Sequence, residues 1–320
     1  MQNFTLVRSA PGTRPEAGSM FIAGGTDLLQ LMKNDVVKPN RLVDIGKLDM
    51  RDIGTSPEGL RLGALASMAE VAANEQVRTG WPAIAEALLL SASPQIRNMG
   101  SIGGNLLQRT RCNYFRDTGF ACNKREPGSG CPAIVGENRD LAVFGVSDNC
   151  IATHPSDVPV VLMALDANVH IVSAAGNNRD VRLSEFYRLP GDTPEIETIL
   201  QPGDMIVAIT VPNSEAARKS TYVKVRDRTS YAFALVSAAV GLDIADGRIR
   251  EARIALGGVA PMPWRLTQVE AALRGQVPGD ALFADATRHL AEGARVGTQN
   301  GFKIELAQRT VTRALQTLTA

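Results

Sequence analysis

Short apolar runs separated by polar, turn-rich breaks dominate the first hundred residues. Phe4–Val7, Phe21–Ala23, Leu42–Ile45 and Leu60–Leu62 are too short for helices and read as strands. Ser67-Met68-Ala69-Glu70 has the form of a capping box and starts a helix. Pro82 opens a second helical run through Ala83, Ile84, Ala87, Leu88 and Leu89. From Leu106 to Cys150 periodicity fades and Gly, Pro, Asn and Arg take over. It resumes with a helix over Ser156–Leu165 and a strand over Val169–Val172.

Beyond Val211-Pro212-Asn213-Ser214, strands are expected at Tyr222–Val225, Phe233–Ile244 and Arg248–Leu256, the last two joined by an Asp246-Gly247 hairpin turn. Helical patterns follow at Val269–Leu273, Ala281–Ala291 and Lys303–Leu318. The expected organisation is α+β rather than a βαβ series. It divides into residues 1–213, carrying an irregular insertion at 106–150, and a smaller unit at 214–320. There is no internal repeat.

Composition narrows the class without defining it. An apolar fraction of 44% and a charged fraction of 21% are ordinary for a globular protein. A net charge of +1 provides no broad field for nucleic acid or an anionic membrane. The longest apolar run, Ala232–Val240, is about half a membrane span and reads as a buried strand. No signal peptide is visible at the N-terminus, so the chain reads as cytoplasmic, or as periplasmic by co-export on a partner.

Candidate chemistry starts at Ala23-Gly24-Gly25-Thr26-Asp27-Leu28, directly after a strand and before a helix. Paired glycines let backbone N–H groups approach a phosphate, and Thr26 adds a hydroxyl. A tight turn capped by Thr26 or Asp27 explains the same residues. Gly100-Ser101-Ile102-Gly103-Gly104-Asn105 repeats the chemistry, so two loops around one diphosphate become the better reading. Neither G-x-G-x-x-G nor a P-loop signature is present at these glycines.

All four cysteines fall in the irregular stretch, spaced C-x9-C-x8-C-x18-C at Cys112, Cys122, Cys131 and Cys150. Four thiolates in an otherwise unordered loop suit an iron–sulfur cluster, whose type the spacing leaves open. Two disulfides would need an oxidising compartment, and structural zinc usually uses closely paired cysteines. Arg109, Arg111, Lys124 and Arg125 flank the thiols and could stabilise a negative cluster or be ordinary solvated cations. His154, His170 and His289 show no metal-ligand spacing, and His154 reads as structural. Trp264 reads as a packing anchor, and Tyr231 as a residue near a flavin ring.

Ala-Gly-Gly-Thr-Asp-Leu at 23–28, Ser-Ile-Gly-Gly-Asn at 101–105 and Ser156-Asp157 before Leu162–Ala167 resemble the FAD-binding subunit of the xanthine dehydrogenase family of molybdenum hydroxylases. The similarity continues through Leu200–Ile206, Tyr222–Arg226 and Ala255–Ala260, covering essentially the whole chain. Within the family, Asn105–Cys112, Cys122–Arg125, Pro127–Cys131 and Cys150–Asp157 are most similar to flavin subunits of periplasmic aldehyde oxidoreductases.

The resemblance implies that Ala23, Gly24, Gly25, Thr26, Asp27 and Leu28 hold the FAD pyrophosphate, with Ser101, Gly104 and Asn105 as the second loop. Asp157 would accept hydrogen bonds from the flavin nucleotide, while Ile206 and Lys224 would touch FAD from later strands. Cys112, Cys122, Cys131 and Cys150 would ligate a [4Fe-4S] cluster. Partners would be a large molybdenum-cofactor subunit and a small [2Fe-2S] subunit, making a heterotrimer that oxidises aldehydes and passes electrons through FAD to a small-molecule acceptor. A related molybdenum enzyme for xanthine-type or CoA-thioester substrates, and a self-contained flavin oxidase, are the alternatives.

Overall fold

A computed structural model describes residues 2–9 and 18–320. Strands β1 (Thr5–Arg8), β2 (Ser19–Ile22) and β3 (Arg41–Asp44) pair in parallel in the order β1-β3-β2. The central strand contributes the buried pair Leu42 and Val43. Next come β4 (Ile53–Ser56) and β5 (Gly59–Gly63), joined much later by β6 (Asn168–Val172), β7 (Asn178–Arg182) and β8 (Met205–Pro212). These five form an antiparallel sheet in the order β4-β5-β8-β6-β7.

Local signals produced the expected structures in several places. Ser67 and Glu70 close a complete capping box at the helix Met68–Ala73. Pro82 is the first residue of the helix Pro82–Leu90. Asp246 and Gly247 take φ values of 52° and 70°, which a two-residue hairpin needs to match strand twist. They join β10 (Val236–Ala245) to β11 (Arg248–Gly257). With β9 (Ser220–Val225) and β12 (Trp264–Arg265) these make a four-stranded sheet in the order β12-β11-β10-β9.

This last sheet is covered on both faces. Ala238, Val240, Leu242, Ile254 and Leu256 pack with Val311, Ala314 and Leu315 of the helix Phe302–Thr319. The alternate positions Tyr222, Ala239 and Ala255 belong to the other large core, with Ile84, Leu88, Val161 and Leu162. Small residues on this face allow close approach: a Cβ on Gly241 would lie 2.3 Å from the Ala216 carbonyl oxygen. One sheet therefore contributes to two cores, and Lys224, Ser237 and Gly257, neighbours at one end of its strands, line a large cavity.

The expected strand at Phe233–Ile244 starts later, at Val236. Residues 233–235 instead leave the ladder to line the cavity. Among the described residues no helix is long and apolar enough to cross a membrane.

Candidate functional site

Gly24 and Gly25 are glycine for different reasons. A Cβ on Gly24 would sit 1.8 Å from the Met99 carbonyl oxygen, so the first glycine loop lies directly against the turn leading into the second. Gly25 has φ of 69°, a left-handed conformation that side chains resist. Leu28–Lys33 then forms a helix with Asp27 at its N-cap position. The Asp27 side chain makes no cap bond. It accepts from the Arg109 N–H and from the Arg111 and Arg116 guanidinium groups, each at 2.9 Å. Asp27 is thus an anchor for the cysteine segment, and the expected capping role is not what the structure assigns it.

The second glycine loop is helical, over Ile102–Leu106, with the Ser101 hydroxyl accepting the Gly104 N–H at 3.2 Å. Asn105 is 3% exposed. Its Nδ2 donates to the Ser101 carbonyl at 2.9 Å, and its Oδ1 accepts from Ser156 at 3.0 Å and from Gln108 at 3.1 Å. The helix end is fixed as well: the Leu106 carbonyl accepts from the Tyr187 hydroxyl at 3.0 Å and from His154 Nε2 at 3.4 Å.

Asp157 starts the helix Val158–Ala164 without a side-chain cap bond. Its carboxylate accepts from Ser91 Oγ at 2.7 Å, from Tyr222 Oη at 2.6 Å and from Lys224 Nζ at 2.8 Å. Lys224 also donates to the Leu90 carbonyl at 3.2 Å, and its side chain is only 1% exposed. Burial beside this carboxylate holds the Tyr222 phenol well above its ordinary pKa. The Asp157 carboxylate thus pairs with groups of its own chain, where the expected partner was the nucleotide.

All twelve expected cofactor-binding residues line one cavity of about 800 Å³: 23–28, Ser101, Gly104, Asn105, Asp157, Ile206 and Lys224. That volume lies in the upper part of the range for small-molecule sites. Ser237, Gly257 and Gly258 also line the cavity, as do Tyr231 and Phe233. Tyr231 is half exposed at φ of 51°, and the Arg111 guanidinium lies over the Phe233 ring at 4.8 Å. Ser237, which pairs with Lys224 across β10 and β9, was missed by sequence reasoning. The one available signal was a hydroxyl interrupting the apolar run of a buried strand.

His154 is half-buried in the cavity wall, its ring edge-on to Tyr187 at 5.1 Å. Desolvation lowers its pKa from 6.5 to about 4, only partly opposed by the Leu106 carbonyl. The folded state therefore binds this proton later than the unfolded state as pH falls. Stability is lost between about pH 6.5 and 4 and no further below, by up to roughly 3 kcal/mol. Urea midpoints from pH 7.5 to 4.5 should fall less steeply in His154→Gln than in the parent, the difference isolating this proton; parallel curves would refute the assignment.

The four cysteines surround a second, much smaller cavity with Phe115, Asn123 and Lys124. None is in a disulfide. Among the described residues no three potential ligands converge on a single metal ion. The four thiols are unpaired and line this one void, the donor set that a metal centre held by thiolates would need. Burial holds the bare Cys112 thiol up to about 12 and also raises Cys131 and Cys150, so metal would displace protons here.

Of the flanking cations, Lys124 bonds Glu197 at 2.9 Å and the Pro194 carbonyl at 2.7 Å, and acts to lower the Cys150 pKa. Arg109 pairs with Glu197, and Arg125 donates to the Tyr114 and Phe115 carbonyls at 2.6 and 2.7 Å. These side chains fix the segment as well as balancing charge. Trp264 stacks on Phe144 at 5.8 Å between centroids, the expected packing role.

Residues 5–214 match the family model for the FAD binding domain in molybdopterin dehydrogenase, and residues 220–318 that for the CO dehydrogenase flavoprotein C-terminal domain. The chain is 48% identical over 314 residues to the aldehyde oxidoreductase FAD-binding subunit PaoB of Escherichia coli, covering 97% of this chain and 95% of that one. It is 28% identical to the glyceraldehyde dehydrogenase medium chain of Sulfolobus acidocaldarius, over 82% of this chain and 76% of that one. Among solved structures, carbon monoxide dehydrogenase from Hydrogenophaga pseudoflava superposes with a TM-score of 0.75 at 23% identity, covering 99% of this chain and 98% of that one. That likeness establishes the shared fold.

Proposed function

Because the chain belongs to the family of FAD-binding subunits of molybdopterin dehydrogenases, we propose that the large cavity holds FAD and that the chain is the flavin subunit of a molybdenum-dependent aldehyde oxidoreductase. The observation that carries this reading is convergence: residues from 23 to 258 in the sequence line one cavity, and every expected FAD contact is among them. The aldehyde substrate is supported by the 48% identity to an aldehyde oxidoreductase subunit over nearly full length.

Bound FAD supplies the means to accept electrons from one partner and deliver them to another. The chain's residues bind and orient it. Gly24 lets the first loop pack against the Met99–Gly100 turn and Gly25 takes its left-handed bend, which together present the loop's backbone to the diphosphate. Thr26 and Ser101 offer hydroxyls at the two loops. Lys224, held by Asp157 and the Leu90 carbonyl, places a fixed cation in a buried wall. Asp157 and Asn105, which also line the cavity, fix Lys224 and the second glycine loop. A large molybdenum-cofactor subunit would carry the substrate site, a small [2Fe-2S] subunit would relay electrons, and a small-molecule acceptor would remove them.

Cys112, Cys122, Cys131 and Cys150 are the residues for a [4Fe-4S] cluster. A second metal-free reading, in which they are simply buried thiols, lacks a reason for all four to face one void. Anaerobic purification followed by flavin, iron and sulfide quantitation tests both cofactors. Non-covalent FAD with about four irons and four sulfides per chain is expected. Flavin without iron would remove the cluster and leave the FAD reading standing. Absence of flavin would remove the main reading.

A further inference from the structure

The cysteine segment is fastened at both ends to walls of the large cavity, and each end holds a different part of the molecule. At the near end, Asp27 of the first glycine loop binds the Arg109 amide and two guanidinium groups. At the far end, the Val143 and Phe144 N–H groups donate to the Val259 carbonyl at 2.8 and 3.0 Å. Asn300 Nδ2 donates to the Ala142 carbonyl at 3.1 Å. Gly257 and Gly258, immediately before Val259, line the same cavity as Asp27.

Between these fastenings the chain has little regular structure and is held by side-chain contacts, among them Lys124 to Glu197 at 2.9 Å and to the Pro194 carbonyl at 2.7 Å, Asn138 Nδ2 to Thr298 Oγ1 at 3.2 Å, and Arg139 to Asp227 at 2.9 Å. Its regular structure is the helix Asn113–Arg116 and the turn Pro132–Ile134, and its small apolar cluster counts Cys112, Cys122 and Cys150 among its buried members. Cys112 lines both cavities, so the wall between them includes a candidate metal ligand.

We propose that metal at the four thiolates turns this segment into a clasp, holding the first glycine loop and the Gly257–Gly258 edge at a fixed separation, so that FAD retention depends on the metal. The clasp rests on the FAD and cluster readings above. Metal bonds to residues 112, 122, 131 and 150 close three loops at once, removing conformational freedom that the open segment would otherwise gain. Without metal, the thiols make no link across the segment, and opening breaks hydrogen bonds, the Lys124–Glu197 and Arg139–Asp227 ion pairs and one small apolar cluster.

The test uses the intact complex purified anaerobically, comparing wild type with Cys131→Ala, the cysteine least buried. FAD release is followed by recovery of flavin fluorescence, and hydrogen exchange is read over residues 24–28 and 257–259. The iron-deficient variant should release FAD about ten-fold faster or more, with faster exchange in both segments. Asn300→Ala, which keeps every cysteine, should retain its iron yet also release FAD faster, though less so than the iron-deficient variant, because the side-chain bond of the far fastening is lost while the Val143 and Phe144 bonds to the Val259 carbonyl remain. If Cys131→Ala does not fold, iron is stripped from folded wild type with ferricyanide and a chelator, and the same readings are taken before and after. Unchanged release and exchange after iron loss would overturn the clasp while leaving both cofactors in place. Wild type with FAD and no iron would overturn the cluster reading itself, and wild type without FAD the cavity reading.

Discussion

Gly24→Ala should abolish FAD retention, and it is the single-methyl change with the largest expected effect on the site. The added carbon would lie 1.8 Å from the Met99 carbonyl oxygen and 2.6 Å from its carbon, and both are backbone atoms that no rotamer change can move aside. The first glycine loop must therefore withdraw from the turn at Met99–Gly100. That turn is itself docked, because the Gly100 carbonyl accepts the Met68 N–H at 2.9 Å and the Ile102 N–H reaches the Ala66 carbonyl at 3.0 Å. Both loops are displaced together, and overpacking of this kind costs about 1–3 kcal/mol or more. The purified variant should contain little flavin and show a lowered urea midpoint. Gly54→Ala, where an added carbon meets nothing within 4 Å, is the control and should keep its FAD. Full flavin content in Gly24→Ala would mean that the first loop does not shape the binding wall.

Asp157→Ala should be the most destabilising change among the charged residues. It leaves the Lys224 ammonium, its side chain 1% exposed, with the Leu90 carbonyl as its hydrogen-bond partner among the described residues, and strips the Ser91 and Tyr222 hydroxyls of their shared acceptor. Removing one partner of a buried pair typically costs about 3–5 kcal/mol, because the remaining charge loses its counterion in a low-dielectric setting. Denaturant unfolding measures the loss, and FAD content measures its effect on the site. The double variant Asp157→Leu with Lys224→Met should recover much of the stability, since no charge is then stranded, but not the flavin content. Recovery of both would show that Lys224 supports the fold and contributes nothing to the cofactor.

These two predictions draw on different kinds of information. The glycine pairs were visible as candidate ligand loops in the sequence, because a strand, two glycines and a helix start make a local pattern. The reason Gly24 tolerates no side chain was not visible, because its obstacle, Met99, lies far along the chain. The network at Asp157 was legible only in part. Asp157 and Lys224 were each singled out as contacts to the nucleotide, yet the structure pairs them with one another and with Ser91 and Tyr222.

By itself the sequence determined what is encoded within a few residues. The capping box at Ser67–Glu70, the helix start at Pro82 and the hairpin at Asp246-Gly247 follow from backbone preferences that operate locally. The gathering of all four cysteines into one irregular stretch was equally plain in the sequence, and the structure sets them around one small void within a local apolar cluster. Tertiary structure alone decided which distant groups share a charge or a wall. It turned Asp27 from a cap into an anchor for three arginines, and tied Asn105 and Asp157 to groups of their own chain in the cavity wall. It also brought Ser237 and Gly258 to the cavity. The physical reason is that hydrogen bonds and ion pairs are settled by proximity in space, and proximity across a hundred residues is set by sheet order and packing, which no local pattern records.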